Sequence, residues 1–239
     1  MKWATKLKPE SSFLKWERRM RALLKAEYKK AISAYPSQGG AVVNGLFSDN
    51  SLTIYLTDLY SEVGLKFGRD AFFGTQKAAQ KDLFGDFALD RILQYIRQFA
   101  GAKISSISGT ARDEMLAEIE RAQQEGGSPS DIARRALKAL TVASFYQAVR
   151  IARTEVIAAA NFGALEGAKA GGVMTRKAWQ AANQRRTRDA HRAANGQIVG
   201  INDNFTVMGE AMRHPGDPRG SSKNVINCRC AMLFYDDEN

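Results

Sequence analysis

Residues 191–230, HRAANGQIVGINDNFTVMGEAMRHPGDPRGSSKNVINCRC, hold both histidines and both cysteines of a 239-residue chain. The stretch reads as turns alternating with short strands. Asn195-Gly196 is a hairpin-type turn leading into Ile198-Val199. Residues 205–208 and 228–235 read as further short strands, and the long loop between them carries Pro215 and Pro218. Upstream, residues 173–181 around Trp179 read as one more strand, and 185–194 as a short basic helix or turn. These elements follow a long helical sequence. The prediction is therefore an α+β fold, a mostly helical N-terminal region followed by a small C-terminal α+β domain with short antiparallel strands.

The helical part is punctuated. Residues 11–35 form an amphipathic pattern, with Ser11 or Ser12 as cap and Phe13, Trp16, Met20, Leu23, Leu24 and Ile32 at helical spacing. Pro36 and Gly39-Gly40 end it. Its other face carries Lys15, Arg18, Arg19, Lys25 and Lys29, either a solvated face or an electrostatic contact with DNA or an acidic protein. A helix over 50–67 presents Leu52, Leu56, Leu59 and Val63. Glycines 64, 68, 74 and 85 then predict short pieces and loops over 68–85. Residues 86–100 read as a helix with Phe87, Ile92, Tyr95, Ile96 and Phe99 as its stripe and Gly101 as its C-cap.

A further helix is expected from Thr110, with Met115, Leu116 and Ile119, stopped by Gly126-Gly127. Ser128-Pro129-Ser130-Asp131 opens the next, with serine as N-cap, proline in the first turn and an acid behind it. Its apolar positions are Ile132, Ala136, Leu137 and Leu140. An alanine-rich helix over 143–170 follows, lined by Ala158, Ala159, Ala160, Gly163 and Ala164, and ends at Gly171-Gly172. The boundary is placed near 105, giving a helical region 1–104 and a second domain 105–239.

A composition of 44% hydrophobic and 25% charged residues is that of a globular chain. No apolar run approaches the roughly 20 residues that span a bilayer. The start, MKWATKLKPESSFLKWERRM, lacks the continuous apolar segment of a secretory signal, which predicts a cytoplasmic place of synthesis. The net charge of +10, from 35 Lys and Arg against 25 Asp and Glu, favours polyanionic surroundings such as nucleic acid. The absence of a GxxxxGK[ST] loop argues against a self-contained nucleotide motor.

His191, His214, Cys228 and Cys230 supply the ligand types of a tetrahedral zinc site. Alternate residues of a strand face one side, so the two cysteines can reach one ion. The spacing is less diagnostic than a Cys-x-x-Cys knuckle, and the histidines are 23 residues apart. Two other readings stay open. In one the cysteines are small buried hydrophobes and His191 is a hydrogen-bonded core residue. In the other, Cys228 or Cys230 acts with His191 and Asp217 as a nucleophile, although nothing local marks an activated thiol. No catalytic residue is assigned, and zinc is the one candidate cofactor.

Arg176, Lys177, Arg185, Arg186, Arg188 and Arg192 cluster around the single acid Asp189. Guanidinium forks suit phosphate and carboxylate alike, so the cluster fits a DNA backbone contact or a protein interface. Trp179 and Phe205 are expected to pack or stack nearby. Arg153 and Glu155 lie on different faces of one helix, and each is expected to anchor it to a neighbouring loop by a buried ion pair. Asp217 is expected to organise its own turn.

Together IARTE (151–155), Asn161, Gly163, Trp179, RTR (186–188), His191, NGQIV (195–199), PGDP (215–218) and NVINCRC (224–230) resemble the phage Mu F-like family. These are minor head proteins of tailed double-stranded DNA phages and prophages. The resemblance covers roughly 105–235; residues 1–104 are not diagnostic. It implies a virion component, present in few copies, that enters the procapsid from the host cytoplasm during assembly. It also implies association with the portal protein, with scaffold or major capsid protein as further partners, and a place inside the head near the portal. Some members bind DNA, non-specifically, and influence its ejection. The family often carries an acid two residues before RTR, where this chain has Gln184, which weakens any acid-dependent catalytic scheme there. Some relatives fuse the domain to a toxin or ADP-ribosyltransferase. The chain ends nine residues after Cys230, which predicts the plain structural version.

The expectation is thus a non-enzymatic minor capsid protein of head morphogenesis that uses no membrane. The competing expectation is a metal-dependent hydrolase or nuclease, or an injected effector, built on the His/Cys cluster.

Overall fold

The computed structural model describes residues 2–4, 10–48, 50–75 and 83–236. Its helices are α1 (Glu10–Ser33), α2 (Tyr35–Gln38), α3 (Ser51–Leu59), α4 (Leu65–Thr75), α5 (Leu83–Gln124), α6 (Pro129–Gly171), α7 (Asp189–Ala193) and α8 (Ser222–Val225). A 3-10 segment covers Gly39–Gly45, and a π-helical turn, Tyr60–Gly64, joins α3 to α4. The strands are β1 (Lys2–Ala4), β2 (Arg176–Gln180), β3 (Ile198–Gly200), β4 (Phe205–Val207), β5 (Glu210–Met212) and β6 (Ala231–Tyr235). Long helices followed by short antiparallel strands make this an α+β protein. Among the described residues no helix is long and apolar enough to cross a membrane.

The chain divides into two compact units. One comprises Met1–Leu14, Thr57–Gln98 and Arg153–Asn239, the other Lys15–Leu56 and Phe99–Ala152. Position 105 falls inside α5.

In the second unit, Trp16, Met20, Leu24, Tyr28 and Ile32 recur four residues apart along α1 and are all buried. That spacing puts them on one face, and each large apolar side chain contributes roughly 1.5–3 kcal/mol on burial. The Tyr28 hydroxyl donates to Gln147 Oε1 at 2.6 Å. The backbone N–H of Phe47 donates to the buried Glu27 carboxylate at 2.7 Å. Lys15, Arg18, Arg19 and Lys29 are exposed and Lys25 is half-buried. Lys15 and Arg19 also lie over the Trp16 ring.

Two expectations about helix breaks are corrected. Gly101 does not cap a helix and Thr110 does not start one, because α5 runs unbroken from Leu83 to Gln124. Buried Ile107, Ala111, Met115, Ile119 and Ala122 carry the apolar face onward, which outweighs the roughly 1 kcal/mol that glycine costs relative to alanine. The Thr110 hydroxyl bonds back to the Ser106 carbonyl at 2.9 Å instead of capping. Likewise Pro129–Gly171 form the single helix α6 rather than two.

Residues 68–75 are helical, as are 83–85, and residues 76–82 lie outside the described residues, as do the side chains of Ser11 and Phe87. Gly64 and Gly68 fail as breakers because they serve helix contact. A Cβ built on Gly163 or Gly167 of α6 would collide with the carbonyls of Gly64 and Gly68 respectively. Two small-xxx-small pairs thus bring two helix backbones together within the first unit.

The ends of α6 follow their sequence signals. Ser128 N donates to Asp131 Oδ2 at 3.2 Å and Asp131 N to Ser128 Oγ at 3.2 Å, a reciprocal cap. Gly172 closes the helix at φ +69°.

Beyond α6 the strands form a four-stranded sheet of order β1-β6-β2-β3 and a separate β4-β5 hairpin. Every neighbouring pair is antiparallel, with Ala178 opposite Leu233 between β2 and β6, and Trp3 opposite Phe234 between β1 and β6. Trp179, Phe205, Met232 and Phe234 pack with Ala164, Leu165 and Ala168 of α6 into one buried cluster that also includes Cys228 and Cys230. The strand expected over 228–235 is shorter than predicted. Both cysteines precede β6, after a left-handed Asn227 at φ +58°.

Candidate functional site

The segment 224–230 is held by α6. Asn227 N donates to Thr154 Oγ1 at 3.0 Å, and Arg153 Nη1 donates to Asn227 Oδ1 at 3.2 Å. Two turns further along the helix, Asn161 Nδ2 donates to the Cys230 carbonyl at 3.0 Å. Three α6 side chains thus shape the backbone that presents the cysteines. Arg153 anchors a loop as expected, but through an amide rather than an ion pair, and its guanidinium also lies over Phe13. Glu155 accepts a hydrogen bond from the buried Tyr60 hydroxyl at 2.8 Å. Thr154 was not singled out from the sequence, because a threonine inside a helix carries no signal of its own.

His191 is delivered by α7. The turn before it closes when Gln184 N donates to Thr187 Oγ1 at 2.9 Å and Thr187 N to the Gln184 carbonyl at 2.9 Å. Gln184 accepts from the Arg229 guanidinium through Oε1. The His191 ring packs edge-to-face on Trp179 at 5.6 Å, and Trp179 packs likewise on Phe205 at 5.4 Å.

His191, Cys228 and Cys230 meet. Nδ1 of His191 lies 3.3 Å from Cys230 Sγ and 3.8 Å from Cys228 Sγ. All three residues are buried and both thiols are free. The hydrogen bond from Cys228, aided by His191 and opposed by burial, holds the Cys230 thiol well below its ordinary range. Its counterpart Cys228 is pushed up by Cys230 and by burial. A cavity of about 240 Å³ adjoins the three, lined also by Arg153, Arg186, Arg188 and Arg229.

His214 does not join them. It is fully buried against Phe162 and Tyr95, at ring separations of 6.0 and 6.4 Å, and its Nδ1 lies 3.1 Å from the Pro215 carbonyl. Burial pushes its pKa down to about 4, against the opposing pull of Asp217. The four-residue set read from the sequence therefore reduces to three.

Asp217 organises its turn as expected. It accepts from Arg213 N at 2.6 Å and Arg219 N at 3.1 Å, and pairs with the Arg219 guanidinium at 2.6 Å. Burial opposes its ionisation, yet these partners hold its pKa at about 2. Gly216, at φ +81°, lies against Ala158 of α6, where a Cβ would sit 3.0 Å from the Ala158 Cα. The PGDP motif is thus a packing turn. It is not grouped with His191 and the cysteines, and that removes Asp217 from the Cys/His nucleophile scheme.

The basic cluster is dispersed. Lys177 is fully buried, with Nζ donating to the Arg213 carbonyl at 2.7 Å and lying over the Phe205 ring. Burial brings its pKa down to about 7. Arg176 is half-buried, and Arg188 is half-buried with its guanidinium on the Ile226 carbonyl. Arg185, Arg186 and Arg192 are exposed, although Arg192 pairs with Asp189 at 3.1 Å.

Residues 113–233 match the family described as phage Mu protein F like protein. Among curated proteins, the chain is 33% identical over 123 residues to the minor head protein GP7 of Bacillus phage SPP1, covering 50% of this chain and 39% of that protein. It is 31% identical over 141 residues to the NAD(+)–arginine ADP-ribosyltransferase EFV of Enterococcus faecalis, covering 56% of this chain and 28% of that protein. The chain thus spans well under half the length of these relatives. No solved structure matches it.

Proposed function

The chain belongs to the phage Mu protein F-like family, and from that premise we propose that it is a minor head protein of a tailed double-stranded DNA phage or prophage. The observation that carries this is the match over 113–233, which takes in the α6 side chains, the Cys/His cluster and the PGDP turn together. Identity to a phage minor head protein supports the same reading.

We infer further that it joins the head at the portal vertex and contacts packaged DNA through exposed guanidinium groups. The net charge of +10 and the exposure of Arg185 and Arg186 support the DNA contact. Co-expression with the cognate portal protein tests the docking. A complex that co-elutes in size exclusion is expected, and persistent separate elution overturns it. DNA binding is expected to be independent of sequence and to weaken steeply with salt, because released counterions drive it.

One relative is named for an ADP-ribosyltransferase activity. The shared region amounts to 28% of that protein, and the activity is named for the whole of it. We read the shared region as a head-protein module. Incubation with NAD+ and an arginine-containing acceptor is expected to give no transfer, and labelled acceptor would refute this reading.

A further inference from the structure

We propose that His191, Cys228 and Cys230 form a zinc site with three protein ligands, whose fourth position opens to the arginine-lined cavity and takes a tetrahedral oxyanion. The site stands whether or not the chain is a head protein.

The ligand atoms are already spaced for a metal. Zinc–sulfur bonds of about 2.3 Å and zinc–nitrogen bonds of about 2.0–2.1 Å at a tetrahedral angle separate nitrogen from sulfur by roughly 3.5 Å. Nδ1 of His191 lies 3.3 and 3.8 Å from the two sulfurs, on either side of that value. Hydrogen bonding alone explains this poorly. A ring nitrogen offers one in-plane site, whereas two thiols converge on it. A cation between them serves all three atoms at once. Two thiolates and an imidazole are also the ligand types that suit zinc. A Cys-x-Cys disulfide would be strained, which leaves the pair available as ligands.

The donor set is short by one. Among the described residues no fourth histidine, cysteine or carboxylate joins the group. His214, the other histidine of the chain, is held against Phe162 and Tyr95. Structural zinc sites close with four protein ligands, and sites with three leave a position for water or an incoming group.

All three ligand residues line the cavity of about 240 Å³ that Arg153, Arg186, Arg188 and Arg229 also line, and no carboxylate is among its lining residues. Among the described residues, Arg153, Arg188 and Arg229 donate to neutral oxygens of Asn227, Ile226 and Gln184, which leave their positive charge uncompensated. An oxyanion at the metal would meet forked donors shaped for it.

Elemental analysis of the full chain, purified without chelator, is expected to give one zinc per chain. Cobalt substitution is expected to show thiolate-to-metal charge transfer and four-coordinate ligand-field bands. His191→Gln, Cys228→Ser and Cys230→Ser should each weaken zinc by more than the roughly 10–100-fold that loss of an outer-shell partner costs. His214→Gln should retain the metal. If the cysteine variants do not fold, the wild-type chain supplies the readout: zinc should protect both thiols from alkylation, and its removal should expose them. Substoichiometric zinc after reconstitution, or thiols equally reactive with and without it, overturns the site. For the fourth position, the cobalt spectrum is recorded with inorganic phosphate and with a short DNA duplex. A shift with phosphate marks a free-anion site and a shift with duplex alone a backbone site. An unchanged spectrum with both overturns the open position.

Discussion

Gly163 of α6 faces Gly64 so closely that a Cβ on Gly163 would collide with the Gly64 carbonyl oxygen. Backbone, not a flexible side-chain end, occupies that space, so the collision cannot be relieved by a rotamer change. Gly163→Ala is expected to destabilise the protein by ~3 kcal/mol or more. Gly101→Ala is the matched control. Gly101 is also in a helix, but nothing lies within 4 Å of its Cβ direction. That change should stabilise by about 0.5–1 kcal/mol through helix propensity and a less flexible unfolded chain. Urea unfolding of the two variants checks both signs.

Acid should loosen the first unit through His214. Its pKa is about 4 in the folded chain against 6.5 for a free histidine, because burial disfavours the charged ring. Between those values the unfolded chain binds a proton that the folded chain does not. Stability is therefore highest above pH 6.5 and falls as pH drops toward 4, by ~3 kcal/mol in total from this group. Unfolding free energies measured at pH 7 and pH 4.5 should differ by most of that amount, and His214→Gln should flatten the difference. Equal slopes in the two proteins would contradict it.

Thr154→Val is nearly isosteric but removes the acceptor for the Asn227 N–H. The cost is expected at about 0.5–1.5 kcal/mol, the net worth of a part-buried hydrogen bond. Hydrogen exchange should report faster opening of 226–230 in this variant, and unchanged protection there would show that the contact is dispensable.

DNA binding, if it runs through the exposed arginines, should separate Arg186 from Lys177. Arg186→Ala is expected to reduce the slope of log affinity against log salt by about 1. Lys177 is buried on the Arg213 carbonyl, so Lys177→Met should leave the slope unchanged. Filter binding at several salt concentrations distinguishes them.

Features set by local chemistry were legible in the amino-acid order. The helical spacing of Trp16, Met20, Leu24 and Ile32 and the reciprocal cap of Ser128 and Asp131 both appear as read. Glycine misled, because its two roles look alike in sequence. Gly126 and Gly127 do end α5, at φ +76° and +110°, whereas Gly101 continues it and Gly64 admits a second helix. The meeting of His191 with the cysteines was anticipated from residue type, but for a reason that does not hold. Strand alternation does not align Cys228 and Cys230, which lie before β6 on a backbone shaped by Asn161 and Thr154. His214 shares their ligand type and their stretch of chain, but nothing in the order of residues tells which side of a turn a histidine will face.

The place of β6 between β1 and β2 also has a consequence for the order of synthesis. Residues 2–4 leave the ribosome well before residues 233–235, their pairing partners. Throughout translation of the intervening chain, β1 and β2 lack the strand that joins them, and His191 lacks both cysteines. The β1–β6 pairing must therefore close a loop of more than two hundred residues, late in the order of synthesis. Until then the edges that β6 will cover stand open to any other extended chain.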